Sequence, residues 1–159
     1  MNEPARKAYE AALRALAARG RSSAELRQRL AQKGHPPEAI DAALVRLTEL
    51  GYLDDQALAR EVASTLMRGR LYGRLWVAKG LRERGLSAEL VAETLEALAA
   101  DLDERELCRQ ALARRFRGLD PRRASRAELQ KAGQYLARRG FAWPLIAEVL
   151  HYRSSPGEP

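Results

Sequence analysis

The sequence predicts an all-α protein of three tandem three-helix repeats, forming an elongated, slightly curved helical-repeat molecule. Apolar residues recur at spacings of three and four, while Gly and Pro concentrate between the periodic stretches, which is the helical pattern with its punctuation. A glycine-anchored motif then returns 51 residues later and again 55 residues after that, the mark of tandem modules stacked on one another. With 46% hydrophobic residues in 159, the chain has enough apolar surface to bury a core but is too short for an elaborate multidomain enzyme.

The first helix is expected over Pro4 to Arg19, with Tyr9, Leu13 and Leu16 on one face, and it stops at Gly20. Ser22 opens Ser-Ser-Ala-Glu, a capping box in which the hydroxyl accepts from the Glu25 N–H and the carboxylate reaches back to the cap. The second helix turns Leu26 and Leu30 inward and ends at Lys33-Gly34, and Pro36-Pro37 begins a third carrying Ile40, Leu44 and Leu47. Leu53 to Gly69 supplies the first helix of the next unit, with Leu58, Val62 and Leu66 inward. Asp103 to Gly118 does the same for the last, with Leu107, Ala111, Leu112 and Phe116 inward.

Register across the units is fixed by Gly34, Gly85 and Gly140. Four residues before each stand Leu30, Leu81 and Leu136; six after stand Ile40, Val91 and Ile146; ten after stand Leu44, Leu95 and Leu150. A basic residue, Lys33, Arg84 or Arg139, precedes each glycine, and Ser125 with Glu128 opens the corresponding helix of the third unit. The repeats are therefore assigned to residues 1–53, 54–101 and 102–153, with 154–159 as a flexible tail.

Charge is distributed unevenly. Met1 to Glu104 holds equal numbers of acids and bases, whereas Arg105 to Arg139 holds 11 bases against Glu106, Asp120 and Glu128, a local excess of +8 that accounts for the net charge of +7 once the −1 of the remaining residues is added. Candidate contacts to a polyanion or an acidic protein surface are Arg114, Arg115, Arg117, Arg122, Arg123, Arg126, Arg138 and Arg139. Three short helices resemble DNA readers of the helix-turn-helix type. However, the third and sixth helices begin with acidic residues, Glu38 and Asp41 in one and Glu89 in the other, which repel phosphate. Aromatics are 6% of the chain and fall mostly at core-type spacing, which disfavours a stacking platform for single strands. An acidic protein surface is thus favoured over phosphate, and nucleic-acid contact is expected through the backbone alone.

Catalytic chemistry finds little support. One cysteine and two histidines rule out a disulfide within the chain and a Cys/His zinc site, and no phosphate-cradling loop or nucleophile elbow is present. No catalytic, cofactor or metal residue is assigned. In Gly51-Tyr52-Leu53-Asp54-Asp55, Gly51 ends a helix, Tyr52 and Leu53 pack a link and Asp54 or Asp55 caps the next helix, a better fit than a Mg²⁺ site. Cys108 reads as a packing residue, and Trp76 and Trp143 as residues at packing edges. Neither a signal peptide nor a membrane span is expected, and the cytoplasm fits the single cysteine.

The run LTELGYLDD at Leu47 to Asp55, the repeated basic-Gly caps, Tyr72-Gly73 before the middle helix pair and Tyr135-Leu136-Ala137-Arg138-Arg139-Gly140-Phe141 together resemble the RecX family of bacterial regulators of the RecA recombinase. The resemblance spans Leu13 to Leu150. It implies a non-enzymatic, cytoplasmic protein of DNA repair, recombination and the SOS response. Such a protein binds the groove of the RecA–DNA filament, touches single- or double-stranded DNA there through the backbone, and restrains filament growth, recombination, ATP hydrolysis and coprotease activity. Where the family's middle repeat usually runs through a basic residue and a glutamate, this chain has Trp76 and Gly80, and Leu58 stands where an aromatic is common after the Asp pair. A stand-alone nucleic-acid-backbone-binding protein and a helical adaptor with another partner are the competing readings.

Overall fold

The computed structural model describes residues 1–152; the expected tail at 154–159 lies outside the described residues. Nine α-helices and no strand are present among the described residues. They are α1 (Glu3–Ala18), α2 (Ser23–Gln32), α3 (Pro37–Glu49), α4 (Asp55–Ser64), α5 (Arg74–Glu83), α6 (Ala88–Ala99), α7 (Glu104–Arg115), α8 (Arg126–Arg138) and α9 (Trp143–Val149). One π-helical turn, Thr65–Gly69, extends α4. Two compact units result, one of residues 1–62 with 81–94 and the other of residues 63–80 with those from 95 onward.

The repeat positions are buried as their spacing requires: Leu30, Ile40, Leu44, Leu81, Val91, Leu95, Leu136, Ile146 and Leu150 all lie in the core. Each fully buried leucine or isoleucine contributes about 1.5–3 kcal/mol relative to exposure. On α1, alanines form the innermost line. Ala8, Ala11, Ala12 and Ala15 are buried, and Tyr9, Leu13 and Leu16 are half-buried against the core formed with Leu26, Leu30, Ile40, Leu44 and Leu47. Small side chains let α1 approach Ala39 and Ala43 of α3 closely, so the larger residues are pushed to the margin.

Two expectations are corrected. On α4 and its π turn the fully buried line is Ala59, Ala63 and Met67, one residue beyond each of Leu58, Val62 and Leu66, which are half-buried. The close packing of alanine sets the helix rotation, and the wider π turn carries it through to Met67. Tyr52 is 60% exposed, and Leu53 alone fills the link.

Helix starts show how successive repeats join. In the first unit Ser22 caps α2 in a complete capping box, accepting from the Glu25 N–H at 3.0 Å while Glu25 accepts from the Ser22 N–H at 2.9 Å. The Ser22 hydroxyl donates to the Arg84 carbonyl at 2.6 Å, and the Ser23 N–H donates to Asp55 at 2.8 Å. Arg84 turns back to pair with Glu25 at 3.1 Å and to donate to the Gly20 carbonyl at 2.9 Å. Asp54 caps α4 by accepting from the Ala57 N–H at 3.0 Å. Burial alone would raise the Glu25 pKa, but the Ser22 N–H and the Arg84 guanidinium outweigh it and hold the carboxyl below its ordinary value.

The second unit repeats the joint. The Gly73 N–H donates to the Arg139 carbonyl at 2.8 Å, the Arg74 N–H to Glu104 at 3.2 Å and the Leu75 N–H to the Gly140 carbonyl at 3.0 Å. Three amides that a helix start leaves orphaned are thereby satisfied by the third repeat. Gly34, Gly51, Gly85 and Gly140 all have positive φ, from 79° to 96°, the left-handed conformation that ends a helix and that glycine alone adopts freely. Ser125 caps α8 by accepting from the Glu128 N–H at 3.1 Å.

A candidate partner-binding groove and an exposed aromatic stack

The arginine block does not form one surface. α7 is twelve residues long, and its period places Arg105 and Arg109, four apart, on one side. Past α7, Gly118 takes φ 80°, and Asp120 orders the following turn by accepting the Arg122 N–H at 3.0 Å on its carboxylate and the Arg123 N–H at 3.0 Å on its carbonyl. The turn carries Pro121 and Arg122 back toward Arg105 and Arg109, and α8 adds Arg126 from its first residue.

These elements enclose an open groove of about 1280 Å³ with Arg105, Arg109, Arg122 and Arg126 on its walls and Leu129, Ala147 and Pro121 among its apolar contacts. His151 and Tyr152 stand at the end of α9. Among the described residues Glu148 is the one carboxylate lining it, and it already pairs with Arg105. Arg109 lies 3.6 Å from Glu106 in an exposed pair that adds little energy and leaves most of the guanidinium to solvent. Four arginines against one paired carboxylate among the described residues give a concave, positive surface that also carries apolar side chains.

The other sequence candidates lie elsewhere. Arg114, Arg115 and Arg117 cluster at the end of α7, where the Arg115 guanidinium lies 5.2 Å from the Phe116 ring and 5.9 Å from Tyr135. Those two rings meet edge to face at 5.6 Å. Arg123 is exposed, 3.9 Å from Asp120, and Arg138 is exposed in the last turn of α8. Arg139 is turned into the fold. Its guanidinium donates to the Arg70 carbonyl and sits 3.7 Å from the centroid of Tyr72, while its Nε is buried without a hydrogen-bond partner. Arg105, Arg109, His151 and Tyr152 were not singled out in the sequence, although the i, i+4 spacing of the two arginines was the available signal.

Tyr72 is itself stacked on Trp76, with ring centroids 4.8 Å apart and planes 10° from parallel. Trp76 occupies the place in α5 that Glu25 holds in α2, counting from Gly85 and Gly34, so the partner of the capping arginine has changed from a carboxylate to an aromatic pair. Arg84 is held by an ion pair and Arg139 by a cation–π contact. The two tryptophans expected at packing edges are exposed by 43% at Trp76 and 53% at Trp143, the Trp143 ring edge lying where a Cβ on Gly133 would meet it at 3.1 Å.

Among the described residues no group of three or more His, Cys, Asp or Glu side chains is placed to hold a metal ion, and no helix is long and apolar enough to cross a membrane. Cys108 is buried, and burial first, then the Glu104 carboxylate, push its pKa up to about 12, outweighing the nearby Arg109.

Comparison with known proteins places this architecture. Family models for the first, second and third three-helix domains of RecX match residues 8–47, 54–95 and 103–150. The protein named regulatory protein RecX from Trichlorobacter lovleyi is 34% identical over 89% of this chain and 92% of its own length. Its namesake from Deinococcus radiodurans is 41% identical over 87% of this chain and 66% of its own. Among solved structures, the crystal structure of RecX from Lactobacillus salivarius superposes with a TM-score of 0.80 at 21% identity, covering 95% of this chain and 97% of that one, which shows a common fold. With three domain models in order along the chain and relatives matched over most of its length, this chain belongs to the RecX family.

Proposed function

We propose that the protein is a non-catalytic, cytoplasmic regulator that binds the groove of a RecA–DNA filament and restrains its growth, and with it recombination, ATP hydrolysis and coprotease activity. Family membership supports the regulatory role, and the observation that carries the mode of contact is the groove lined by Arg105, Arg109, Arg122 and Arg126. Its occupant on this reading is an acidic segment of recombinase surface. A phosphodiester chain is uniformly charged and gains nothing from Pro121, Leu129 and Ala147, whereas arginine and tyrosine beside apolar side chains is the composition of a protein interface.

The test compares the parent with an Arg109→Ala, Arg122→Ala, Arg126→Ala variant, leaving Arg105 and its ion pair intact. Binding to recombinase filaments should weaken, with the on-rate falling most at low salt, while binding to bare DNA changes little. A variant that instead loses bare-DNA affinity, with the dependence of log affinity on log salt flattened by about 0.7 per lost contact on single strands, assigns the groove to phosphate.

A further inference from the structure

We infer that Trp76, backed by Tyr72 and Arg139, is a stacking platform for one unpaired base of a single-stranded nucleic acid. Three observations converge on it. The first is geometric: Arg139, Tyr72 and Trp76 form a continuous cation–aromatic–aromatic stack, in which one face of Trp76 is covered by Tyr72 while the residue stays 43% exposed. A planar aromatic surface presented to water is what a base covers without regard to sequence.

The second is rigidity. A Cβ on Gly140 would stand 2.5 Å from the Trp76 Cβ, and the Leu75 N–H is bonded to the Gly140 carbonyl, so the backbone under the indole is packed and hydrogen-bonded against Gly140. A platform ordered before the ligand arrives loses less conformational entropy on binding. The third is charge. Residues 63–80 contain no Asp or Glu and four bases, Arg68, Arg70, Arg74 and Lys79, of which Arg70 and Arg74 flank the stack in sequence and are exposed, and the Glu104 carboxylate that accepts the Arg74 N–H does not outnumber them. Counting charge from Met1 to Glu104 as a whole conceals this acid-free stretch, because acids elsewhere balance it.

A protein anchor is the other use of an exposed tryptophan, and the surroundings decide against it. Trp76 is 43% exposed on its stacked partner Tyr72, Leu75 beside it is exposed as well, and Arg70 and Arg74 on either side in sequence are exposed bases; an exposed stacked ring among arginines is the combination that tracks a phosphate backbone while one base stacks. The inference goes beyond the filament reading and stands apart from it, since it concerns the free protein and a bare strand.

The experiment uses the whole chain in a Trp143→Phe background, leaving Trp76 as its one tryptophan, with an oligo(dT) strand and an abasic strand of equal length as probes and no recombinase present. Oligo(dT) should quench Trp76 fluorescence and the abasic strand should not. Trp76→Ala should weaken oligo(dT) binding by about fivefold or more and leave abasic-strand binding where it was. Trp76→Phe, which retains a ring on Tyr72, should recover most of the loss. Equal binding of the two strands without quenching overturns the platform. So does an equal fall for both strands in Trp76→Ala and Trp76→Phe, which makes Trp76 a folding residue. Normal oligo(dT) binding by Trp76→Ala overturns it too, and in favour of a protein anchor where a separate assay with recombinase filaments shows that the same variant engages them poorly. Failure here leaves the arginine groove untouched, and failure of the groove variant leaves the platform untouched.

Discussion

Gly140 and Trp76 pack backbone to backbone, so that a Cβ at residue 140 would stand 2.5 Å from the Cβ of Trp76. Gly34, at the equivalent cap of the first repeat, has the same left-handed φ but open space around it. The two glycines therefore separate conformation from docking. Gly34→Ala should cost about 1–2 kcal/mol, the penalty of a left-handed alanine. Gly140→Ala should cost about 1–3 kcal/mol beyond that, because the helix pair must move apart. Urea unfolding of the two variants checks it, and equal losses would mean that the joint is soft.

Arg84 and Glu25 give the first unit a pH dependence. The folded-state pKa of Glu25 is depressed below its ordinary value of 4.5, so the unfolded chain binds the proton more readily and stability rises with pH across that window. The contribution is complete above 4.5 and is lost as pH falls through the folded value. Glu25→Gln should flatten the acid limb of stability against pH while lowering stability near neutrality. Thermal unfolding between acid and neutral pH measures both, and parallel curves for parent and variant would contradict the assignment.

Cys108 should be inert in the folded protein. With its pKa pushed up to about 12 and its side chain buried, the thiol stays neutral at pH 8 and out of reach of alkylating reagents. Iodoacetamide labelling followed by mass should show almost no adduct on the folded chain and rapid reaction in denaturant. Fast labelling of the folded chain would mean that α7 opens locally.

Much of the fold was legible because its determinants are local. Helix caps are written in three or four consecutive residues, as in Ser22 to Glu25, and a glycine with positive φ ends a helix whatever surrounds it. Rotation about a helix axis is not local. Alanine can be the innermost residue when a partner helix approaches closely, and for that reason Ala59 and Ala63 lie deeper than Leu58 and Val62.

The candidate site was legible as composition and not as shape. Eight neighbouring arginines occupy several surfaces, since one helix turn and one bend direct Arg115 to Tyr135, Arg139 to Tyr72, and Arg122 and Arg126 to a groove with Arg105 and Arg109. Trp76 stands nine residues before Gly85 as Glu25 stands nine before Gly34, but the stack it forms needed Tyr72 and Arg139 brought together from 67 residues apart.

The most direct test of the proposed regulatory role is recombinase-dependent ATP hydrolysis on single-stranded DNA, titrated with this protein and with its Arg109→Ala, Arg122→Ala, Arg126→Ala variant. Filament binding predicts inhibition at ratios well below one per recombinase protomer, because one bound molecule obstructs growth of a whole filament; the inhibition should persist when DNA is in excess and weaken in the folded variant. Inhibition that appears only when the protein coats all free DNA and vanishes with added DNA, or a folded variant that restrains hydrolysis as well as the parent, would contradict it.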